Sequence, residues 1–178
     1  MKKILIGILA MATFGCLVTS CNNDDKQPIP PQFAGFKITP EKVHPGDIVT
    51  ISACYVNKGE NIYGPHCNWT LTLDTLNENN EVGQYKIARQ VNASIADDNL
   101  SLKIAIPKSA KTGKNASCTL NIDYTHSADA KNIGFELSNP TQSGYRGNFQ
   151  NSRVVSVLYT RVNGSVSFPI VEAPAIGE

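Results

Sequence analysis

The chain lacks the sequence patterns of the common catalytic and metal sites. It contains no G-x-S-x-G nucleophile motif and no pair of carboxylates marked as an acid and a base. Its 5 cysteines and 3 histidines form no C-x-x-C or H-x-x-x-H pair, which disfavours a zinc site. We therefore expect no catalytic residues, no metal and no cofactor, and the sequence favours a protein that is not an enzyme.

The chain also lacks an excess of charge of either sign. It has 16 basic and 15 acidic side chains and a formal net charge of +1. The lysines and arginines form no cluster in the sequence, whereas a nucleic-acid-binding protein concentrates them on one face. We expect no nucleic-acid partner.

Long hydrophobic runs are missing apart from one at the start of the chain. Met1-Lys2-Lys3 is basic, and residues 4–18 are apolar apart from Thr13, two glycines and Cys16. A membrane-spanning helix needs about 20 apolar residues, and this run is shorter. A basic start followed by a short apolar segment and small residues is typical of a secretory signal peptide, so we expect cleavage rather than a retained transmembrane helix.

The residues that end this apolar run are Val18-Thr19-Ser20-Cys21, which resembles the lipobox of bacterial lipoproteins. The resemblance implies a signal peptide over residues 1–20 and acyl chains such as palmitate on Cys21. It also implies a lipidated tether over residues 21–32, so that the protein is anchored to the outer membrane by lipid. Asn22-Asn23-Asp24-Asp25-Lys26 is similar to the export signal of surface-exposed lipoproteins of gut anaerobes. The cell surface is therefore the expected location, and the periplasmic face remains the alternative, in which this run is only a solvated tether.

The remainder has the size of one domain, which we place at residues 33–178. Removal of the first 20 of the 178 residues leaves 158, enough to bury roughly 68–70% of the unfolded surface. Three cysteines then remain, Cys54, Cys67 and Cys118. Cys67 and Cys118 share the parity of apolar neighbours and fit a hydrophobic core, whereas Cys54 shares the parity of polar ones. A Cys54–Cys67 disulfide across the intervening loop is left open.

Apolar residues alternate with polar ones through most of this domain, with no run at helical period. Alternation of this kind predicts β-strands, here near residues 33–38, 47–56, 67–73, 82–91, 100–106 and 116–124. Two more segments, 153–162 and 165–171, flank Asn163-Gly164, which predicts a type I′ hairpin turn. We therefore predict an all-β sandwich or barrel, in which Trp69 faces the core.

Two segments, Val43–Ile51 and Tyr55–Gly59, are similar to bacterial immunoglobulin-like domains of the cell-adhesion-related and TIG-like families. Both families share a Pro-Gly-Asp-x-Val-x-Ile start and an Asn-x-Gly end of the second strand. The resemblance covers about residues 33–125. It implies an all-β, immunoglobulin-like β-sandwich and says little about the ligand.

In such a sandwich, the loop after the second strand and the loop before the last strand emerge at the same end. Here the first loop, residues 57–65, carries Tyr63, and the second, residues 126–152, carries Tyr145, Arg146 and Phe149. We predict that these four residues bind a ligand and that alanine in place of the last three abolishes binding without loss of stability. The alternative is that Phe135, Leu137 and Phe149 form a small core beneath the second loop.

The sequence thus leads to two hypotheses about function. The first is a lipid-anchored binding or adhesion module that recognises a glycan or a protein at the cell surface. The second is a structural accessory subunit of an envelope, fimbrial or uptake complex, held through an edge strand. A hydrolase has no support beyond the compartment.

Overall fold

The computed structural model describes residues 28–126, 141–156 and 159–174. The predicted signal peptide, Cys21 and most of the predicted tether lie outside these residues, as do Phe135 and Leu137. Within the described part of the chain, no helix is long and apolar enough to cross a membrane.

The described residues form eight strands and no helix. The strands are β1 Gln32–Thr39, β2 Ile48–Asn57, β3 Ile62–Leu76, β4 Val82–Asn92, β5 Asn99–Ala105, β6 Lys114–His126, β7 Asn148–Ser156 and β8 Tyr159–Ile170. They make two antiparallel sheets, one in the order β1-β2-β5 and one in the order β4-β3-β6-β8-β7. The all-β prediction is confirmed.

Alternating apolar residues on both sheets supply a single hydrophobic cluster. The residues of β3 in this cluster are Cys67, Trp69, Leu71 and Leu73, all at most 2% exposed. Alternate residues of the facing strands belong to it in the same way. Because successive side chains of a strand point to opposite faces, this alternation puts every second residue in the core. Each fully buried side chain of this size contributes about 1.5–3 kcal/mol of transfer free energy.

The hairpin predicted at Asn163-Gly164 is wrong. β8 runs straight through both residues and pairs antiparallel with β6 on one side and with β7 on the other, where Ser156 lies opposite Tyr159. Gly164 serves close packing instead, because a Cβ there would lie 2.5 Å from Phe149 Cε1 and 2.8 Å from Phe36 Cζ. A glycine inside a strand often marks such an approach, which the local sequence cannot distinguish from a turn.

The loop predicted over residues 57–65 is shorter than expected. β3 begins at Ile62, so Tyr63 lies in a strand and pairs with Thr125 of β6. The pairing shifts register between Tyr63 and His66, which explains why the apolar alternation becomes regular only from Cys67 onward.

All three described cysteines are free and buried. Cys67 and Cys118 occupy the core as their parity predicts, and no disulfide joins Cys54 to Cys67. The parity of Cys54 with polar neighbours predicts a side chain that faces solvent. This prediction is wrong, because Cys54 is only 5% exposed. Its neighbour Ala53 is buried on the other face, and an irregularity in the pairing of β1 with β2 lies beside it, between Phe33 and Gly35.

The buried thiols predict a loss of stability at alkaline pH. Burial raises the pKa of Cys67 and of Cys118 from about 9 to about 12, and nearby carboxylates add to the effect at Cys67. The contribution of the two thiols to the free energy of unfolding is complete below about pH 8. From about pH 9 to pH 12, the unfolded chain has released protons that the native state retains. The free energy of unfolding should therefore fall by about 1.4 kcal/mol per pH unit for each thiol.

Urea denaturation at pH 8 and pH 10 checks this result against the Cys67→Ala/Cys118→Ala double variant. The variant should be less stable at pH 8 but should lose less stability on going to pH 10. Equal losses in the two proteins would contradict the assignment of the alkaline effect to these thiols.

Candidate ligand-binding cleft

A tight turn precedes β7 and carries two of the predicted site residues. The amide of Tyr145 donates to the carbonyl oxygen of Gln142 at 3.1 Å, which closes a four-residue turn. Gly144 stands at its third position with a φ of 84°, a conformation that glycine adopts without strain. The Thr141 hydroxyl donates to the carbonyl oxygen of Gly147 and braces the turn.

This turn is attached to β1 by backbone hydrogen bonds. Phe36 and Arg146 exchange two, with N···O distances of 2.8 and 2.9 Å, and the amide of Gln142 donates to Ala34 at 2.9 Å. Gly35 permits the approach, because a Cβ at that position would lie 2.8 Å from the Cβ of Tyr145. The turn therefore covers the outer edge of β1 and holds Tyr145 and Arg146 on a strand rather than on a free loop.

The side chains of Tyr145 and Arg146 are placed differently. Lys37 Nζ lies 5.1 Å from the centroid of the Tyr145 ring, a cation–π contact that orients the half-buried ring. The exposed Arg146 side chain makes no hydrogen bond or ion pair with any residue of the described ranges. Its five N–H donors are therefore available to a ligand.

Arg146 lies between two adjoining clefts. One encloses about 500 Å³ and the other about 450 Å³, and both are lined by Glu41 and Arg146. The larger is otherwise lined by Lys42, His44, Pro169, Val171, Glu172 and Pro174, and the smaller by Phe36, Lys37, Ile38, Thr39, Gly144 and Tyr145. Apolar side chains and charged side chains of both signs line the clefts together, a mixture that suits a polar ligand of moderate size.

His44 is a fixed part of the larger cleft. Its Nδ1 donates to the carbonyl oxygen of Val171 at 3.1 Å, and its backbone amide donates to Asp47 Oδ2 at 2.8 Å. The amide of Val171 donates in turn to Val43 at 2.9 Å. The loop after β1 is thus tied to the end of β8, and this contact forms the wall of the cleft.

Sequence reasoning missed His44, Glu41 and Glu172 as residues of the site. The partner of His44, Val171, is 127 residues away, so no local pattern indicates the contact. Residues of the described ranges also contain no group of three His, Cys, Asp or Glu side chains that could hold a metal ion.

Phe149 does not lie in the cleft. It is 7% exposed and stacks between Phe33 and Phe36, with ring centroids 4.2 and 4.7 Å apart. In this position the ring cannot touch a ligand, and it belongs to the main core together with the edge-on Trp69 that contacts Phe36. Phe149 is thus a core residue, as the alternative interpretation predicts, and the two rings on which it stacks belong to β1.

Tyr63 lies far from the cleft. It is 63% exposed and pairs with Thr125 near the end of β6, whereas the cleft residue Pro169 pairs with Asn115 near the start of that strand. Ten residues separate these two positions of β6, or about 33 Å at the rise of a strand. The two loops do start at the same end, because Ile62, where the first loop ends, pairs with His126, where the second loop begins. Tyr63 nevertheless lines neither cleft, since the turn that carries Tyr145 and Arg146 runs along β1 before β7 begins.

No family model matches this chain, and no curated protein or solved structure shows significant similarity to it.

Proposed function

We propose that this protein is a lipid-anchored, non-enzymatic binding module of the cell surface, built on an immunoglobulin-like β-sandwich. The sequence around Cys21 supports the anchor. The sheet order supports the sandwich: β2 and β5 share one sheet, while β3 and β6 are neighbours in the other. Strands B, E, C and F of an immunoglobulin domain are divided between its sheets in the same way.

The observation that carries the binding role is the position of the Arg146 guanidinium between two clefts, with no partner among the described residues. An arginine fork binds a carboxylate with two parallel hydrogen bonds, and the neighbouring Tyr145 ring offers a flat apolar surface. The carboxylates of Glu41 and Glu172 line the larger cleft and would accept hydrogen bonds from hydroxyl or amine groups of a ligand. A glycan or protein ligand that carries a carboxylate beside hydroxyl or amine groups matches this arrangement.

Alanine in place of Arg146 is expected to weaken ligand binding by tenfold or more, because a hydrogen bond to a charged group contributes about 1.5–3 kcal/mol. The melting temperature should hardly change, since the side chain is exposed and has no partner in the described residues. A glycan array and a surface-protein panel identify the ligand, and titration calorimetry then compares the variants.

Tyr63→Ala is the matched control, because Tyr63 is also exposed to solvent but lies at the other end of β6. It should bind as the wild type does. Loss of binding in Tyr63→Ala together with full binding in Arg146→Ala would reject the cleft as the site.

The alternative function, a structural accessory subunit, is supported by one feature of the sheets. β4 spans 11 residues and pairs with β3 alone in the described chain, so its second edge offers backbone groups to an extended segment of another protein. A pull-down from cells separates the two functions. One stoichiometric protein partner that survives Arg146→Ala and is lost on blocking β4 favours the accessory role.

A further inference from the structure

The tether joins the domain at one defined end. Ile29 and Glu60 exchange two backbone hydrogen bonds, with N···O distances of 2.8 and 3.0 Å. Pro31 is buried beside them, and Gly59, with a φ of 78°, leaves room for the tether, because a Cβ there would collide with the carbonyl oxygen of Ile29. The chain therefore reaches the domain along the connection between β2 and β3.

We call this the tether end, defined by Asn57 of β2, Ile62 of β3 and the end of β6. The larger cleft lies at the opposite, distal end, where the loop after β1 meets the end of β8. From Cys21 to Ile29 the chain has eight residue steps, which span at most about 29 Å when fully extended. β6 alone has 13 residues and a length of about 40 Å.

Of the five large apolar side chains that are exposed in the described residues, three lie where the tether is attached, and the other two, Ile48 and Val82, lie at the far ends of β2 and β4. Ile29, Val56 and Tyr63 are 43%, 51% and 63% exposed, and the last two lie within four residues of Glu60 in the sequence. Tyrosine has an apolar ring and a polar hydroxyl, and it is enriched where a protein meets the interface between lipid and water.

We propose that the tether end is a membrane-contacting surface, with Ile29, Val56 and Tyr63 resting in the headgroup region of the lipid that holds the anchor. The proposal rests on the lipidation of Cys21. We choose a lipid surface rather than a protein partner as the occupant of this end. The lipidated tether must leave the domain at this point, and it is short compared with the domain.

The charges of the tether end indicate which lipids it suits. Lys58 is engaged, since its Nζ lies 3.0 Å from Asp98 Oδ1 and donates to the carbonyl oxygen of Ala96 at 2.7 Å. Glu60 and Asp97 add negative charge nearby. An anionic lipid surface would repel this end, so contact should be strongest on zwitterionic lipid. The same orientation points the Arg146 clefts away from the membrane, toward a ligand in solution.

Fluorescence quenching from the lipid tests this orientation. The full-length lipidated protein carries an environment-sensitive label on Tyr63→Cys and is reconstituted in phosphatidylcholine vesicles that contain a headgroup nitroxide. Cys54, Cys67 and Cys118 are buried and escape native labelling. Emission at position 63 should fall by about half, because a label in the interface lies within reach of the nitroxide. The quenching should weaken when phosphatidylglycerol replaces part of the phosphatidylcholine.

Ile48→Cys is the matched control. Ile48 is 60% exposed, close to the value for Tyr63, but it lies at the distal end of β2. Its label should be quenched by less than about a tenth of the emission. Equal quenching at the two positions, stronger quenching at position 48, or no quenching at position 63 overturns the proposal. Burial of the position 63 label in a lipid-free dimer also overturns it, in favour of a second copy as the occupant.

Flotation separates this proposal from the one on which it rests. The wild type should float with the vesicles, and Cys21→Ala should remain in the dense fraction. A wild type that does not float rejects the lipid anchor and, with it, the membrane contact. A wild type that floats without quenching at position 63 rejects only the orientation.

Discussion

Alanine in place of Phe149 is expected to lower the free energy of unfolding by about 3–5 kcal/mol, the range for removing a buried aromatic ring. The ring stacks on Phe33 and Phe36 of β1 and so fastens β7, in the five-stranded sheet, to the three-stranded sheet. Its removal leaves a cavity between the two sheets. Urea denaturation measures the effect as a lower midpoint with an unchanged slope.

Two variants show whether this loss comes from the core. Phe149→Leu keeps much of the buried volume and should lose clearly less stability than Phe149→Ala. Tyr145→Ala, in the covering turn, should lose no more than about 1 kcal/mol, since it removes a single cation–π contact of a half-buried ring. If Phe149→Ala keeps its stability and loses only ligand binding, the residue belongs to the binding surface, as the sequence led us to expect.

Gly164→Ala is expected to destabilise the protein by about 1–3 kcal/mol, because overpacking a filled core forces neighbouring side chains to move. The added methyl group would stand 2.5 Å from Phe149 Cε1 and 2.8 Å from Phe36 Cζ, well inside van der Waals contact. A shift in the thermal midpoint and in the urea midpoint measures the loss.

Gly83→Ala is the control for this variant. Gly83 also lies inside a strand, but a Cβ there meets only Thr75 Oγ1, at 3.6 Å. This substitution should be neutral or stabilising by several tenths of a kcal/mol, since alanine restricts the unfolded chain. The double variant Gly164→Ala/Phe149→Leu should recover part of the free energy of unfolding that crowding by the Phe149 ring costs in Gly164→Ala. If both glycine variants behave alike, crowding by the rings is not the reason for Gly164.

The strand content and most of the core could be predicted from the sequence. Trp69, Cys67 and Cys118 are buried as their parity predicts, and the predicted strands around residues 47–56 and 100–106 agree with β2 and β5 to within one residue. The candidate site could be predicted only in part. Tyr145 and Arg146 do line the clefts, whereas Phe149 is buried and Tyr63 lies at the other end of β6.

The amino-acid order by itself determined which segments extend into strands and which face of each strand is apolar. Both follow from a period of two residues, and a strand shows that period whatever it pairs with. Only the tertiary structure decided what meets across the sheets. Gly164 packs against Phe36 and Phe149, and His44 is tied to Val171, although more than 100 residues separate Gly164 from Phe36 and His44 from Val171. Such contacts depend on the order of strands in each sheet and on the path of the turn over β1, which no local pattern specifies.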